Sequence, residues 1–141
     1  MNDKDFQELT SLFFSTRQII RHKLPSDGYS DPNAWLRFET LRFIDQSKGP
    51  TMRDVADYVR IKAPSVTSLV DHLVRLGLVT KQKEQSDKRI VRLYPTTKGT
   101  SELKKYGQRC ARTMREVFAK MPPDDVTDLV RVFRRLGDVH R

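Results

Sequence analysis

Residues 61–99 read IKAPSVTSLVDHLVRLGLVTKQKEQSDKRIVRLYPTTKG, and their pattern decides the fold. Val66, Leu69, Val70 and Leu73 recur at helical spacing, which predicts one amphipathic helix over about Ala63 to Leu76. Pro64 sits where the first helical turn tolerates a missing amide, and Gly77 is placed to end the helix. The pattern then changes period. Leu78 to Lys83 and Arg89 to Tyr94 are β-prone runs on either side of a polar turn, so they predict a hairpin that Pro95 ends. The tip of that hairpin carries Ser86-Asp87-Lys88-Arg89.

Upstream, Thr51-Met52-Arg53-Asp54 has the form of a capping box: a hydroxyl at the N-cap and an acid three residues on. A short helix should follow with Met52, Val55, Ala56 and Val59 inward, turning at Arg60-Ile61-Lys62. Trp35 to Ser47 is a further helix with Trp35, Phe38, Leu41 and Ile44 on one side, stopped by Lys48-Gly49-Pro50. Asp3 to Leu24 carries Phe6, Leu9, Phe13, Ile20 and Leu24 near helical spacing, and Pro25, Asp27, Gly28 and Pro32 mark a loop after it. Downstream, Thr97 to Lys120 is a long helix with Leu103, Tyr106, Cys110, Met114, Val117, Phe118 and Met121 on one stripe. Pro122-Pro123-Asp124-Asp125 opens a last helix with Val126, Leu129, Val130, Phe133 and Leu136 inward. The expected fold is mainly α with a small β-hairpin wing: a winged helix-turn-helix between N- and C-terminal helices.

Composition bounds the partners. The 141 residues allow one domain with a core, and the formal net charge is +9. Residues 1–50 hold 7 Lys/Arg and 7 Asp/Glu, residues 51–99 hold 10 and 5, and residues 100–141 hold 10 and 6. The positive excess therefore begins where the capped helix begins, as expected of a surface that attracts a polyanion. No apolar run approaches the roughly 18 residues that span a bilayer, so no membrane is expected. The start MNDKDFQEL lacks a basic region followed by an apolar one, and the single Cys has no internal partner. Both features point to the cytoplasm.

With its apolar stripe inward, the 63–76 helix presents Ala63, Pro64, Ser65, Thr67, Ser68, His72 and Arg75. Small side chains at the N-terminal end let a helix sit deep in the major groove of double-stranded DNA, and Ala63 and Pro64 can lie against a thymine methyl. Arg53 and Lys62 flank this end and Lys88 tips the wing; together with Lys83 they can reach phosphates. Arg89 suits a narrow minor groove, where the negative potential is enhanced. Asp87 is out of place against DNA and reads as a brace that orients Arg89 or Arg92. The same Ser and Thr pattern also fits an ordinary solvent-facing helix; the capped helix before it and the basic hairpin after it favour DNA.

These residues resemble the MarR family of bacterial and archaeal transcription regulators. The resemblance rests on Asp54-Val55-Ala56, Ser65-Val66-Thr67, Leu69-Val70-Asp71-His72-Leu73, Leu76-Gly77-Leu78-Val79, Asp87-Lys88-Arg89 with Arg92-Leu93, and Thr97-Lys98-Gly99. It implies a single domain over 1–141, with 33–96 as the DNA-binding winged helix and 1–24 and 97–141 as dimerisation helices. It further implies a homodimer that reads a pseudo-palindrome as a repressor and is released by a small-molecule effector. Apolar residues on the first and last helices exceed what a monomer of this size keeps exposed, which supports a dimer independently. The chain also departs from the family. Many members carry Arg where it has Ser68 and His72, which weakens the case for guanine readout. A turn Gly is Arg60 here, and a capping Ser is Lys62.

For an effector pocket the candidates are Arg17, His22, Trp35 and Phe38, although Trp35 and Phe38 equally suit core or interface. Cys110 lies on the apolar stripe of the long helix, so a buried structural thiol is expected there ahead of a redox switch. His22, His72 and His140 lack metal-ligand spacing, no cofactor motif appears, and no nucleophile–base set suggests an enzyme. The alternative reading is a winged-helix module that docks protein and touches DNA only non-specifically.

Overall fold

The computed structural model describes residues 2–23 and 33–140. Leu24 and the loop markers Pro25, Asp27, Gly28 and Pro32 lie outside the described residues. The elements run α1 (Asp3–Lys23), α2 (Ala34–Gln46), α3 (Met52–Val59), α4 (Ala63–Arg75), β1 (Val79–Lys83), β2 (Val91–Pro95), α5 (Thr97–Phe118) and α6 (Pro123–Asp138). They form two compact units, residues 26–108 and residues 1–25 with 109–141, so the division falls inside α5.

The unit of residues 26–108 is the winged helix. Its core is Leu41 and Ile44 from α2, Val55 from α3, Val66, Val70 and Leu73 from α4, and Leu78, Val79 and Leu93 around the hairpin. Phe38 of α2 stacks on Tyr106 of α5 with ring centroids 3.9 Å apart and planes within 5°. Two expectations change here. Trp35 is 60% exposed; Ala34 and Arg37 occupy the buried stripe with Phe38, Leu41 and Ile44. In α3 only Val55 is fully buried, because so short a helix turns a single position wholly inward.

Local chemistry sets the element ends. The capping box is complete: Asp54 N donates to Thr51 Oγ1 at 3.2 Å, and Thr51 N donates to Asp54 Oδ2 at 2.8 Å. The amide bond to the carboxylate holds Asp54 below its ordinary pKa. At the end of α4, Gly77 takes φ +72°, Gly77 N donates to Val74 O at 2.9 Å, and Leu78 N donates to Leu73 O at 3.0 Å. This is the Schellman pattern, closed by the buried pair Leu73 and Leu78. Leu78 is therefore part of the helix stop, and β1 begins one residue later than expected.

The strands pair antiparallel, with Lys81 opposite Leu93 and Gln82 opposite Arg92. Leu93 N also donates to Pro50 O at 2.9 Å, and Thr51 bridges Arg92, so the α2–α3 turn lies along the outer edge of β2. The start of α5 clasps the end of α4. Thr96 N donates to Leu78 O at 3.0 Å, Thr96 Oγ1 to Gly77 O at 2.5 Å and Lys98 Nζ to Leu76 O at 2.8 Å. The carbonyls of the C-cap residue Leu76 and of the two residues after it are thereby satisfied. Gly99 makes this approach possible: a Cβ there would lie 2.1 Å from Leu78 O.

In the second unit, neither α1 nor α6 buries a single described side chain. Phe6, Phe13, Val130, Phe133 and Leu136 are each at least half exposed. The inward placement expected for Val130, Phe133 and Leu136 is therefore not met within one chain: amphipathic patterning names an apolar face without naming what covers it.

Candidate nucleic-acid interface

The first two turns of α4 are the natural place to begin. Ala63, Pro64, Ser65, Thr67 and Ser68 are all exposed there, while Val66 and Val70 anchor the opposite side. Lys62 is the N-cap in extended conformation and offers no side-chain cap, so its ammonium stays outside the helix. Pro64 has no N–H, and Ser65 N and Val66 N donate to Lys62 O at 3.0 and 3.1 Å, so it is chiefly the helix dipole that favours an anion at this end. Thr67 Oγ1 donates to Ala63 O at 3.1 Å, which turns its hydroxyl back onto the helix.

The turn into α4 passes through Arg60, which adopts the left-handed conformation at φ 55° and ψ 41°. A residue with a Cβ is disfavoured there by about 1–2 kcal/mol relative to right-handed geometry. Arg53 is exposed in the first turn of α3, and Arg75 is exposed at the far end of α4.

His72 is placed differently from its neighbours on the expected face. It is half-buried, and its Nε2 lies 2.6 Å from Nη1 of Arg37. A guanidinium only donates, so His72 Nε2 accepts and Nδ1 carries the ring proton. Arg37 is 2% exposed, and burial lowers its pKa below the ordinary arginine value without bringing neutrality near physiological pH. Sequence reading missed Arg37. The signal was present, since positions 34, 37, 38, 41 and 44 share one helical stripe. The neighbouring Asp71 is held by Lys81 Nζ at 2.6 Å, tying α4 to β1.

At the wing tip, Asp87 and Arg89 form a two-pronged pair: Arg89 Nε donates to Oδ1 at 3.1 Å and Nη2 donates to Oδ2 at 3.0 Å. Arg89 N adds a bond to Oδ1 at 3.0 Å, and Ile90 N donates to Asp87 O at 3.0 Å. These turns take Arg89 and Ile90 out of the strand, so β2 starts at Val91. The guanidinium hydrogen bond holds the Asp87 carboxyl below its ordinary range and raises Arg89. The Arg89 side chain stays 91% exposed, with its free edge toward solvent. The brace therefore runs to Arg89 and not to Arg92. Arg92 donates from Nε to Glu84 Oε1 at 3.0 Å and from Nη1 to Gly49 O at 2.9 Å, pinning the wing base to the α2–α3 turn. Lys83 and Lys88 are exposed along the same hairpin.

The four effector-pocket candidates belong to both units. Phe38 is inside the core against Tyr106, Trp35 is exposed, and Arg17 and His22 lie exposed on α1 in the other unit. A cleft of about 450 Å³ opens elsewhere in the winged unit, lined by Phe43, Tyr58, Asp54, Asp57, Lys48 and Arg92 among others. Tyr58 stacks on Phe43 at 4.2 Å and donates to Glu39, which also pairs with Arg42 and raises the tyrosine pKa. Cys110 is half-buried, short of the full burial expected of it. Among the described residues no cluster of His, Cys, Asp and Glu could hold a metal, and no helix is long and apolar enough to cross a membrane.

Comparison with known proteins matches this geometry. The family profile described as "MarR family" matches residues 32–90, which hold α2, α3, α4, β1 and the wing tip. The chain is similar to that family over this segment. It is 21% identical over 99 residues to a protein of Bacillus subtilis named "Uncharacterized HTH-type transcriptional regulator YpoP", covering 70% of each chain. A MarR family protein from Bacillus stearothermophilus has a similar structure, with TM-score 0.83 at 18% identity over 99% of this chain and 98% of that one. PcaV, a transcriptional regulator from Streptomyces coelicolor solved with its natural ligand, gives TM-score 0.63 at 21% identity over 94% and 92%. These matches give the chain the winged-helix fold of those proteins.

Proposed function

We propose that this protein is a MarR-family transcription regulator that acts as a homodimeric repressor, with two winged helices on the two halves of a pseudo-palindromic operator. One observation carries the reading. Large apolar side chains of α1 and α6 stand exposed in the single chain, with Phe13 at 62% and Phe133 at 59%. Patches of that kind are normally covered by an interface, and a two-fold axis buries the same patch on both subunits. The helices of residues 1–24 and 97–141 then serve as the dimerisation region, and residues 33–96 as the DNA reader. Arg53, Lys62, Lys88 and Arg89 supply phosphate and minor-groove contacts, while Ala63 to Ser68 enter the major groove. His72 contributes through its bond to Arg37 more than by reaching DNA.

Release by a small-molecule effector is part of the proposal, supported by the natural ligand bound to PcaV. The work of such a protein lies where the chromosome is, which places it in the cytoplasm. Light scattering on the purified chain should give twice the monomer mass. Duplexes from the protein's own upstream region should be retained at physiological salt in preference to scrambled duplexes, with protection over two half-sites one helical turn apart. A monomer, or equal retention of all duplexes, refutes the proposal. Equal retention combined with a stoichiometric protein partner would favour the protein-docking alternative.

A further inference from the structure

The recognition surface of α4 is poor in the groups that read purines. Arg or Lys reads guanine, and Asn or Gln reads adenine, by paired hydrogen bonds. The first two turns hold none of these: their exposed residues are Ala63, Pro64, Ser65, Thr67 and Ser68. His72 is turned onto Arg37 and Asp71 onto Lys81. Arg75 lies twelve residues beyond Ala63, about 18 Å along the helix at 1.5 Å per residue, away from the end that meets base edges. Lys62, outside the helix at the N-cap, sits where a phosphate is favoured.

Beside the hydroxyls of Ser65 and Ser68, which pair with any base and so discriminate little, the first two turns present carbon. Thr67 commits its hydroxyl proton to Ala63 O, which leaves the γ-methyl beside Ala63 and the Pro64 ring. The one exposed major-groove group that such a surface recognises is the 5-methyl of thymine. The wing agrees: Asp87 fixes the Arg89 guanidinium at the wing tip with its other edge exposed, and a guanidinium presented there is favoured in the narrow minor groove of A·T tracts. Resting on the reading of this chain as a DNA-binding regulator, we infer that it selects its operator chiefly through thymine 5-methyl groups packed on Ala63, Pro64 and the Thr67 methyl.

The inference is tested on sites recovered from a random duplex library by the full-length protein at fixed salt. Each thymine of a recovered half-site is replaced singly by deoxyuridine, which removes the methyl and keeps the base pair. One or two positions should lose about fourfold in affinity, the ~0.8 kcal/mol of one buried carbon converted at ~1.4 kcal/mol per tenfold. Thr67→Ser, which drops the methyl and keeps the hydroxyl, should lose a similar factor on the thymine site and nothing further on the deoxyuridine site. Thr67→Val, which keeps the methyl, should bind as the parent does. Deoxyuridine tolerated within twofold at every position, or half-sites specified by guanine, overturns methyl readout while leaving DNA recognition standing. Recovery of no preferred sequence overturns both.

Discussion

Gly99→Ala is the sharpest perturbation available in this fold. The new Cβ would lie 2.1 Å from Leu78 O and 3.0 Å from Leu78 C, and ordinary contact begins near 3.4 Å, so α5 and the turn after α4 must part by 1.3 Å. Both partners are backbone, and no side-chain rotation relieves the clash. Overpacking of this kind costs about 1–3 kcal/mol. The separation also strains three bonds of the α4–α5 clasp, from Thr96 N, Thr96 Oγ1 and Lys98 Nζ. The backbone bond from Thr96 N contributes about 1 kcal/mol, and the exposed bonds from Thr96 Oγ1 and Lys98 Nζ less. A total near 3 kcal/mol follows from these terms. Urea unfolding at fixed protein concentration should show the midpoint falling by about 1–2 M with unchanged slope. Gly107→Ala is the matched control: it lies in the same helix, nothing stands within 4 Å of its added Cβ, and it should be neutral or stabilise by up to ~1 kcal/mol. If the two variants unfold within about 0.5 kcal/mol of each other, the close approach at Gly99 does not bear on stability.

Other expectations follow from single residues. Arg60→Gly should stabilise by about 0.5–1 kcal/mol in thermal or urea melts, the left-handed strain relieved less the backbone entropy glycine loses; destabilisation would mean that Arg60 makes a compensating contact. Asp87→Ala should leave the melting temperature unchanged and weaken operator binding by about two- to tenfold, the entropy of fixing one long side chain anew; fluorescence anisotropy reads this, and undiminished affinity would show that the brace has no part in binding. Asp54 has its folded pKa depressed, so its contribution is present above the ordinary aspartate value near ~3.9 and is lost as pH falls through the lower folded value. Asp54→Ala should therefore cost about 0.5–1 kcal/mol at pH 7 and progressively less below pH ~4, and a constant difference down to pH ~2 would refute the capping role.

The site divides along the same line as the fold. The wing tip was legible because Asp87 and Arg89 are two residues apart, and a carboxylate that close to a guanidinium in a turn has few other partners. Arg92 was misassigned for the opposite reason. Its partner Gly49 O lies 43 residues away, and only the pairing of the α2–α3 turn with β2 brings them together. The exposed face of α4 followed from helical period, but the removal of His72 from that face did not, because Arg37 lies 35 residues upstream.

The sequence by itself determined what local physics controls. The Thr51–Asp54 capping box, the Gly77 stop, the apolar stripes of α3 and α4, the hairpin and its basic tip each depend on residues close in sequence. Their spacing carries the information. Tertiary structure alone decided which remote groups meet. It placed Arg37 against His72, tied Arg92 to the α2–α3 turn, and brought Gly99 onto Leu78 so that α5 holds the end of the recognition helix. It also left the apolar faces of α1 and α6 uncovered within one chain. Periodicity specifies that a face must be buried; only packing specifies against what.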